Sequence, residues 1–329
     1  MANKSKRGKY WLGFDLGGTK MMATVFDSNF KIVASQRAKT KPQDGARAVL
    51  NRVIETIKAA IAGAKLKPSA LGGIGVGCPG PLDLDRGIII EAPNLGWKNV
   101  HLKDTLEKAF SCRTVIANDV DAGAYGEYRF GAARKARCAL SVFPGTGIGG
   151  ACVYEGHLLR GKTSSCMEIG HIQVQSMGRV CGCGQRGCLE TVASRLAIAS
   201  EAAAAAYRGE APHLANMAGT DVADIKSGAL AKAIDDGDEV VERIVRNAAR
   251  HLGTAIASVV NLLAPDVIVL GGGLVEAMPQ LFVGEVRKTV EARAMKSFTR
   301  SLKIAAAELG DNAAVMGSAA LAAASTGAE

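Results

Sequence analysis

The chain has 329 residues, 48% of them apolar and 22% charged, a composition that excludes a disordered or fibrous protein and leaves length for two domains. No apolar run approaches the roughly 18 residues of a membrane-spanning helix, and the opening MANKSKRGKY has no apolar signal segment, so the chain reads as cytoplasmic with no membrane partner. Net charge is +9, but Lys4, Lys6, Arg7 and Lys9 place much of it in a basic leader over residues 1–9; with aromatics at 5% no nucleic-acid partner is expected.

The first predicted elements are the two strands of YWLGFDLGGTKMMATVF, residues 10–26, which flank a glycine-rich turn. Glycines after a strand let backbone amides approach a phosphate, Thr19 adds a hydroxyl, and Asp15 is placed to hold a hydrated Mg2+; the alternative is a plain tight turn. A helix is predicted over 45–62, with Val49, Val53, Ile57 and Ile61 on one face. GIGVGCPGPLD (73–83) and APNLGW (92–97) read as strand exits into loops, the places where open α/β folds gather ligands. In VIANDVDAG (115–123), Asn118 and Asp119 fall at a strand's carboxyl edge. An acid there can take the proton of a ligand hydroxyl, or Asp119 or Asp121 can merely cap the next helix.

ALSVFPGTGIGGACVY (139–154) repeats the strand, Gly/Thr turn, strand plan of 10–26, which suggests two related α/β halves that each present amides to an anion. Neither turn is a Walker A loop or a dinucleotide fingerprint. EIGH (168–171) and CGCGQRGCLE (181–190) follow. His171, Cys181, Cys183 and Cys188 offer one nitrogen and three sulfurs, a closed tetrahedral set for structural zinc; a free-thiol cluster is the alternative. Glu168 and Glu190 flank those ligands, so a metal would also fix two acids and an imidazole edge suited to sugar hydroxyls, unless they are simply exposed acids beside a knuckle. Further on, 195–206 reads as a helix that ETVAS begins, 238–264 as an amphipathic helix stopped by Pro265, DVIVLGGGL (266–274) as a strand into a third glycine cluster, and 312–325 as a terminal helix.

In that order DLGGTK, GCPGPLD, PNLGW, ND at 118–119, GTGIGG, EIGH, CGCGQRGCLE and the late GGG resemble the ROK family of sugar kinases and repressors, most closely its bacterial glucokinase branch, over residues 11–318. The resemblance implies an actin-like, ribonuclease-H-like α/β fold with two domains around a central cleft, at 10–118 and 119–311, the first completed by helix 312–325. It implies ATP with Mg2+ as donor and a hexose, glucose foremost, as acceptor. Asp119 then matches the catalytic base, and Gly80, Asn94, Asn118, Glu168, His171 and Glu190 match sugar-binding positions. Asp15, Gly17, Gly18, Thr19 and Lys20, with Gly145, Thr146 and Gly147, match the phosphate loops, and Gly271, Gly272 and Gly273 the glycines that receive the nucleotide. His171, Cys181, Cys183 and Cys188 match the family's zinc ligands, and a homodimer is implied. With about ten residues before the first strand, the winged-helix domain of the family's repressors is not expected. An N-acetylmannosamine or N-acetylglucosamine kinase, or a sugar-sensing regulator that does not bind DNA, are the alternative activities.

Overall fold

The structure is a computed structural model that describes residues 10–162 and 165–327; the leader expected at 1–9 lies outside the described residues. The chain forms two compact units. One takes the chain up to Lys135, Leu158–Cys166 and the stretch from Asp311; the other takes Ala136–His157 and Met167–Gly310. No helix among the described residues is long and apolar enough to cross a membrane.

In the first unit β1 (Tyr10–Leu16), β2 (Lys20–Asp27) and β3 (Ile32–Lys39) form an antiparallel meander. Strands β4 (Leu71–Cys78) and β8 (Thr114–Asn118) extend it in parallel, in the order β3-β2-β1-β4-β8. One face is covered by α1 (Ala46–Gly63) and α2 (Leu102–Phe110), and the expected stripe Val49, Val53, Ile57 and Ile61 is buried there. A small antiparallel sheet of β5 (Leu82–Asp83), β6 (Ile88–Ala92) and β7 (Trp97–His101) carries the PNLGW loop.

The other face is closed by α12 (Ala313–Ser325), which packs on β1, β4 and α3 (Asp119–Phe130). Its run of alanines lets backbones approach closely, and glycines on its neighbours bring them into contact. A Cβ on Gly13 would lie 1.8 Å from the Val315 carbonyl oxygen, one on Gly75 1.8 Å from that of Ser318, and one on Gly317 1.8 Å from that of Ala122. This packing places α3 in the first unit, whereas the expected boundary at 119 assigned that helix to the second domain.

The second unit repeats the plan. Strands β9 (Cys138–Pro144), β10 (Ile148–Tyr154) and β11 (His157–Leu158) pair with β12 (Val267–Leu270) and β13 (Lys303–Ala306) in the order β11-β10-β9-β12-β13. Its helices are α4 (Glu190–Ala193), α5 (Arg195–Tyr207), α6 (Pro212–Ala218), α7 (Ser227–Asp235), α8 (Glu239–Leu263), α9 (Gly273–Ala277), α10 (Pro279–Arg293) and α11 (Lys296–Thr299). The amphipathic stripe predicted over 238–264 is the buried face of α8, which ends at a left-handed Ala264 before Pro265. ETVAS does not start α5: Ser194 is extended and its hydroxyl accepts the Ala197 N–H at 3.2 Å, so ETVA forms a separate turn and Ser194 caps the helix that follows.

Gly317→Ala tests the close packing. Helix propensity alone predicts a gain of about 1 kcal/mol, but the new methyl meets the Ala122 carbonyl, and overpacking that costs about 3 kcal/mol leaves a net loss of about 2 kcal/mol, read as a lowered urea midpoint; a raised midpoint would contradict the contact.

Candidate active site

Three neighbouring parallel strands, β1, β4 and β8, end side by side. Asp15 pairs with Gly77 and Cys78 with Asn118, so Asp15, Cys78, Asn118 and Asp119 gather at one sheet edge. Asn118 is the N-cap of α3. Its Oδ1 accepts the Val120 N–H at 2.9 Å and the Asp121 N–H at 3.4 Å. The cap therefore falls to Asn118, and Asp119 follows as the first helical residue. Gly77 makes this possible, because a Cβ there would lie 3.2 Å from the Ala122 Cβ and from the Ser318 hydroxyl.

Burial holds the Asp119 carboxyl above its ordinary range, against hydrogen bonds from the Val120 amide, its own amide and the Asn118 side chain. Asp15 is pushed up to about 7, first by burial and then by the charge of Asp119; Lys20 opposes the rise and Asp311 adds to it. The Cys78 thiol is driven far above its usual value by burial and by both acids, which keeps it protonated and inert. Two partly buried carboxyls that tend to take up protons are a donor set that a hydrated Mg2+ fits, since a hard cation with oxygen ligands removes the repulsion.

The DLGGTK turn closes through Gly17 N–H donating to the Lys20 carbonyl at 3.0 Å, and the Thr40 hydroxyl donates to the Gly17 carbonyl at 2.7 Å. Among the described residues the Gly18 and Thr19 amides have no internal partner, as an anion cradle requires. Asn94 packs on this turn, its Cβ 3.3 Å from where a Gly18 Cβ would stand. Gly80, at φ +94°, lies so close to the chain that a Cβ would meet the Glu91 carbonyl at 1.9 Å. Lys20 reaches Asp311 instead: its Nζ donates at 3.0 Å and Arg37 donates to the other carboxylate oxygen at 3.0 Å. Sequence inspection does not find this trio, because Asp311 lies 291 residues from Lys20.

In the second unit Glu168 and His171 bracket a short 3-10 turn, Ile169–His171, seated on the start of β10. Gly170 touches the Ile148 carbonyl and Gly150 leaves space for the Ile169 side chain. Both glycines are thus needed to hold the turn there. In the GTGI loop, Gly145 N–H donates to the Gly147 carbonyl at 2.8 Å, leaving the Thr146 and Gly147 amides without a partner among the described residues. Arg195, unremarked in the sequence, braces this loop, its amide donating to the Gly145 carbonyl at 2.8 Å and its Nη2 to the Thr146 hydroxyl at 3.3 Å. Glu190 Oε2 accepts the Ile148 N–H at 3.0 Å. Gly271 and Gly272 press on Phe143 and Pro144 just before the same loop, and Gly273 opens α9.

His171, Cys181, Cys183 and Cys188 come together with all ligand atoms within 4.8 Å of one another. His171 Nδ1 is 3.6 Å from Cys181 Sγ, and Cys183 Sγ is 3.7 Å from Cys188 Sγ. Tetrahedral zinc, with Zn–S of about 2.3 Å and Zn–N of about 2.0 Å, gives edges of about 3.8 Å between sulfurs and about 3.5 Å from sulfur to nitrogen. The cluster therefore fits zinc. Burial and then the neighbouring cysteines push the Cys188 thiol up to about 12, a cost that a divalent cation removes by binding thiolates. Gly184 and Gly187 have φ of +88° and +75°, and a Cβ on Gly187 would meet the Gln175 carbonyl at 1.6 Å, so the knuckle can close only with glycine there.

Two α/β units on one strand, glycine turn, strand plan, with acids at the ends of parallel strands, define an actin-like ATPase fold. The chain belongs to the ROK family, whose model matches residues 11–325. It is 34% identical over 315 residues to a glucokinase of Halalkalibacterium halodurans, covering 94% of this chain and 93% of that protein. The ROK family glucokinase of Streptomyces griseus, solved with glucose and AMPPNP, is 30% identical with a TM-score of 0.81, covering 95% of this chain and 99% of that one. A ROK family transcriptional regulator, a homolog of the Escherichia coli MLC protein, superposes with a TM-score of 0.84 at 26% identity, covering 95% of this chain and 77% of that one.

Because the Asp119 charge raises Asp15, Asp119→Asn is expected to lower the Asp15 pKa from about 7 while burial keeps it above 3.8. Carboxyl carbon NMR titration reads this directly, and an unchanged Asp15 would show that the two acids are not neighbours.

Proposed function

We propose that the protein is an ATP-dependent hexose kinase that makes glucose 6-phosphate from glucose. The observation that carries this is Asp119, set beside Asp15 at the ends of parallel strands with its carboxyl biased toward holding a proton. Such a group accepts the proton of the sugar's primary hydroxyl as the hydroxyl oxygen bonds to the γ-phosphorus and the bond from that phosphorus to the β-bridging oxygen breaks. The Asn118 side chain, hydrogen-bonded to Asp119, orients the carboxyl. Asn94, Glu168, His171 and Glu190, with the Gly80 loop, are assigned to the sugar hydroxyls. The amides at Gly18, Thr19, Thr146 and Gly147, unpartnered among the described residues, are assigned to the phosphates, with Gly271–273 toward the rest of the nucleotide. Lys20 enters this scheme through Asp311. Mg2+, held near Asp15, would supply charge neutralisation for the phosphates.

Zinc on His171, Cys181, Cys183 and Cys188 is assigned a structural role, since four protein ligands leave no position for water. The glucokinase relatives, similar over nearly the whole chain, support glucose as acceptor. The likeness to a transcriptional regulator supports a second reading, a sugar sensor without turnover. A homodimer in the cytoplasm is the proposed setting.

An ADP-release screen over glucose, mannose, fructose and the two N-acetyl amino sugars separates these readings. The highest kcat/KM is expected for glucose; an N-acetyl sugar in first place would reassign the substrate, and no sugar-dependent ADP would favour the sensor. Asp119→Ala is expected to lower kcat by about a thousandfold with glucose affinity within a few-fold of the parent; near-parental turnover would remove Asp119 as base. Purified protein is expected to carry one zinc per chain by elemental mass spectrometry, lost together with most glucose affinity when Cys181, Cys183 and Cys188 are all changed to serine.

A further inference from the structure

Glu190 belongs to three parts of the second unit at once. It stands two residues after Cys188, it opens α4, and one carboxylate oxygen lies on the GTGI loop. Oε2 accepts the Ile148 N–H at 3.0 Å, while Oε1 lies 4.0 Å from Cys181 Sγ. Ile148 stands opposite Pro144 at the start of the β9–β10 ladder, and its amide, the first of β10, is taken by the carboxylate. Gly147 has no side chain for the same reason: a Cβ there would stand 2.4 Å from Oε2. A sugar ligand alone would need neither contact.

We propose that Glu190 is a positioning residue for the phosphate-binding loop, holding the Ile148 amide so that the Thr146 and Gly147 amides stay turned toward the nucleotide's phosphates. This role rests on the kinase reading and adds to the sugar contact assigned above. The bond is charge-assisted and its acceptor is anchored by the helical turn behind it, so it is stronger than an ordinary turn contact. Arg195, five residues further, grips Gly145 and Thr146 from the same segment. Glu190 and Arg195 thus brace the two ends of the loop, and the cysteine cluster holds the segment on which Glu190 is carried. Nucleotide affinity then depends on a residue of the sugar-binding set, even before sugar is present.

Two variants separate the roles. Glu190→Gln keeps an oxygen that accepts the Ile148 N–H but loses the charge; Glu190→Ala loses both. Calorimetry with a non-hydrolysable ATP analogue and Mg2+, without sugar, is expected to show about tenfold weaker binding for Glu190→Ala and parental affinity within twofold for Glu190→Gln, while glucose binding is weakened in both. Amide hydrogen exchange at Ile148 in the full chain is expected to quicken in Glu190→Ala and to recover in Glu190→Gln. Unchanged Ile148 exchange in Glu190→Ala, or equal nucleotide affinity of that variant and the parent, overturns the positioning role. A parent protein that binds no nucleotide would instead remove the kinase assignment, and the exchange measurement would still decide whether Glu190 holds the loop.

Discussion

A carboxyl group withheld from water beside a second carboxyl is the interaction on which the first unit depends. Asp119 and Asp15 stand at the carboxyl ends of β8 and β1, the parallel strands on either side of β4, where their neighbours supply few cations to balance them: Lys20 opposes the rise of Asp15 but is itself paired with Asp311. The arrangement is costly in the free protein and becomes favourable when a hydroxyl offers a proton or a divalent ion offers charge. Its persistence requires a scaffold that leaves the acids no room to turn out into solvent. Gly13, Gly75, Gly126 and Gly317 supply that scaffold by letting backbone meet backbone among β1, β4, α3 and α12, and Gly77 by leaving room for the Ala122 and Ser318 side chains. A side chain at Gly77 or Gly317 would press on Ala122 in the first turn of α3, next to Asp119, while one at Gly13, Gly75 or Gly126 would press on the α12 backbone.

The second unit solves a different problem, that of giving shape to loops with little core of their own. The segment from Glu168 to Glu190 contains four glycines after Gly170 and many exposed residues. Its order comes from the seating of Ile169 and Gly170 on β10, from the turn around Gly184 and Gly187, and from the convergence of three thiols and an imidazole. A metal held by these ligands would tie the chain shortly before Glu190, whose carboxylate reaches the next glycine loop. The acids and loop amides to which the proposed function assigns sugar and phosphate are thereby joined through one carboxylate.

Much of this was legible in the sequence because the signals were local. Apolar periodicity gave away α1 and α8, and the repeated strand, Gly/Thr turn, strand plan corresponds to β1–β2 and β9–β10. The spacing of His171 and the three cysteines predicted a cluster that the fold does bring together. What local signals could not carry were partners distant along the chain. Asp311 pairs with Lys20 and Arg37, and the α12 backbone meets glycines at 13 and 75, contacts that no window of sequence contains. The sequence offers Asp119 or Asp121 as the cap of α3, yet the cap is Asn118, because Asn serves as readily as Asp and only the geometry at Val120 and Asp121 assigns it. Ser194 is hidden for a related reason, because a cap between two helical segments looks like helix when judged by alanine content alone.

The central claim is that Asp119 receives the hydroxyl proton from a site that raises its proton affinity. The pH dependence of kcat/KM for glucose at saturating Mg·ATP tests it most directly. An acid limb displaced upward from the ordinary aspartate value of 3.8 is predicted, with activity rising as Asp119 loses its proton. A rate that stays flat down to that ordinary value, in protein verified to remain folded, would contradict the account.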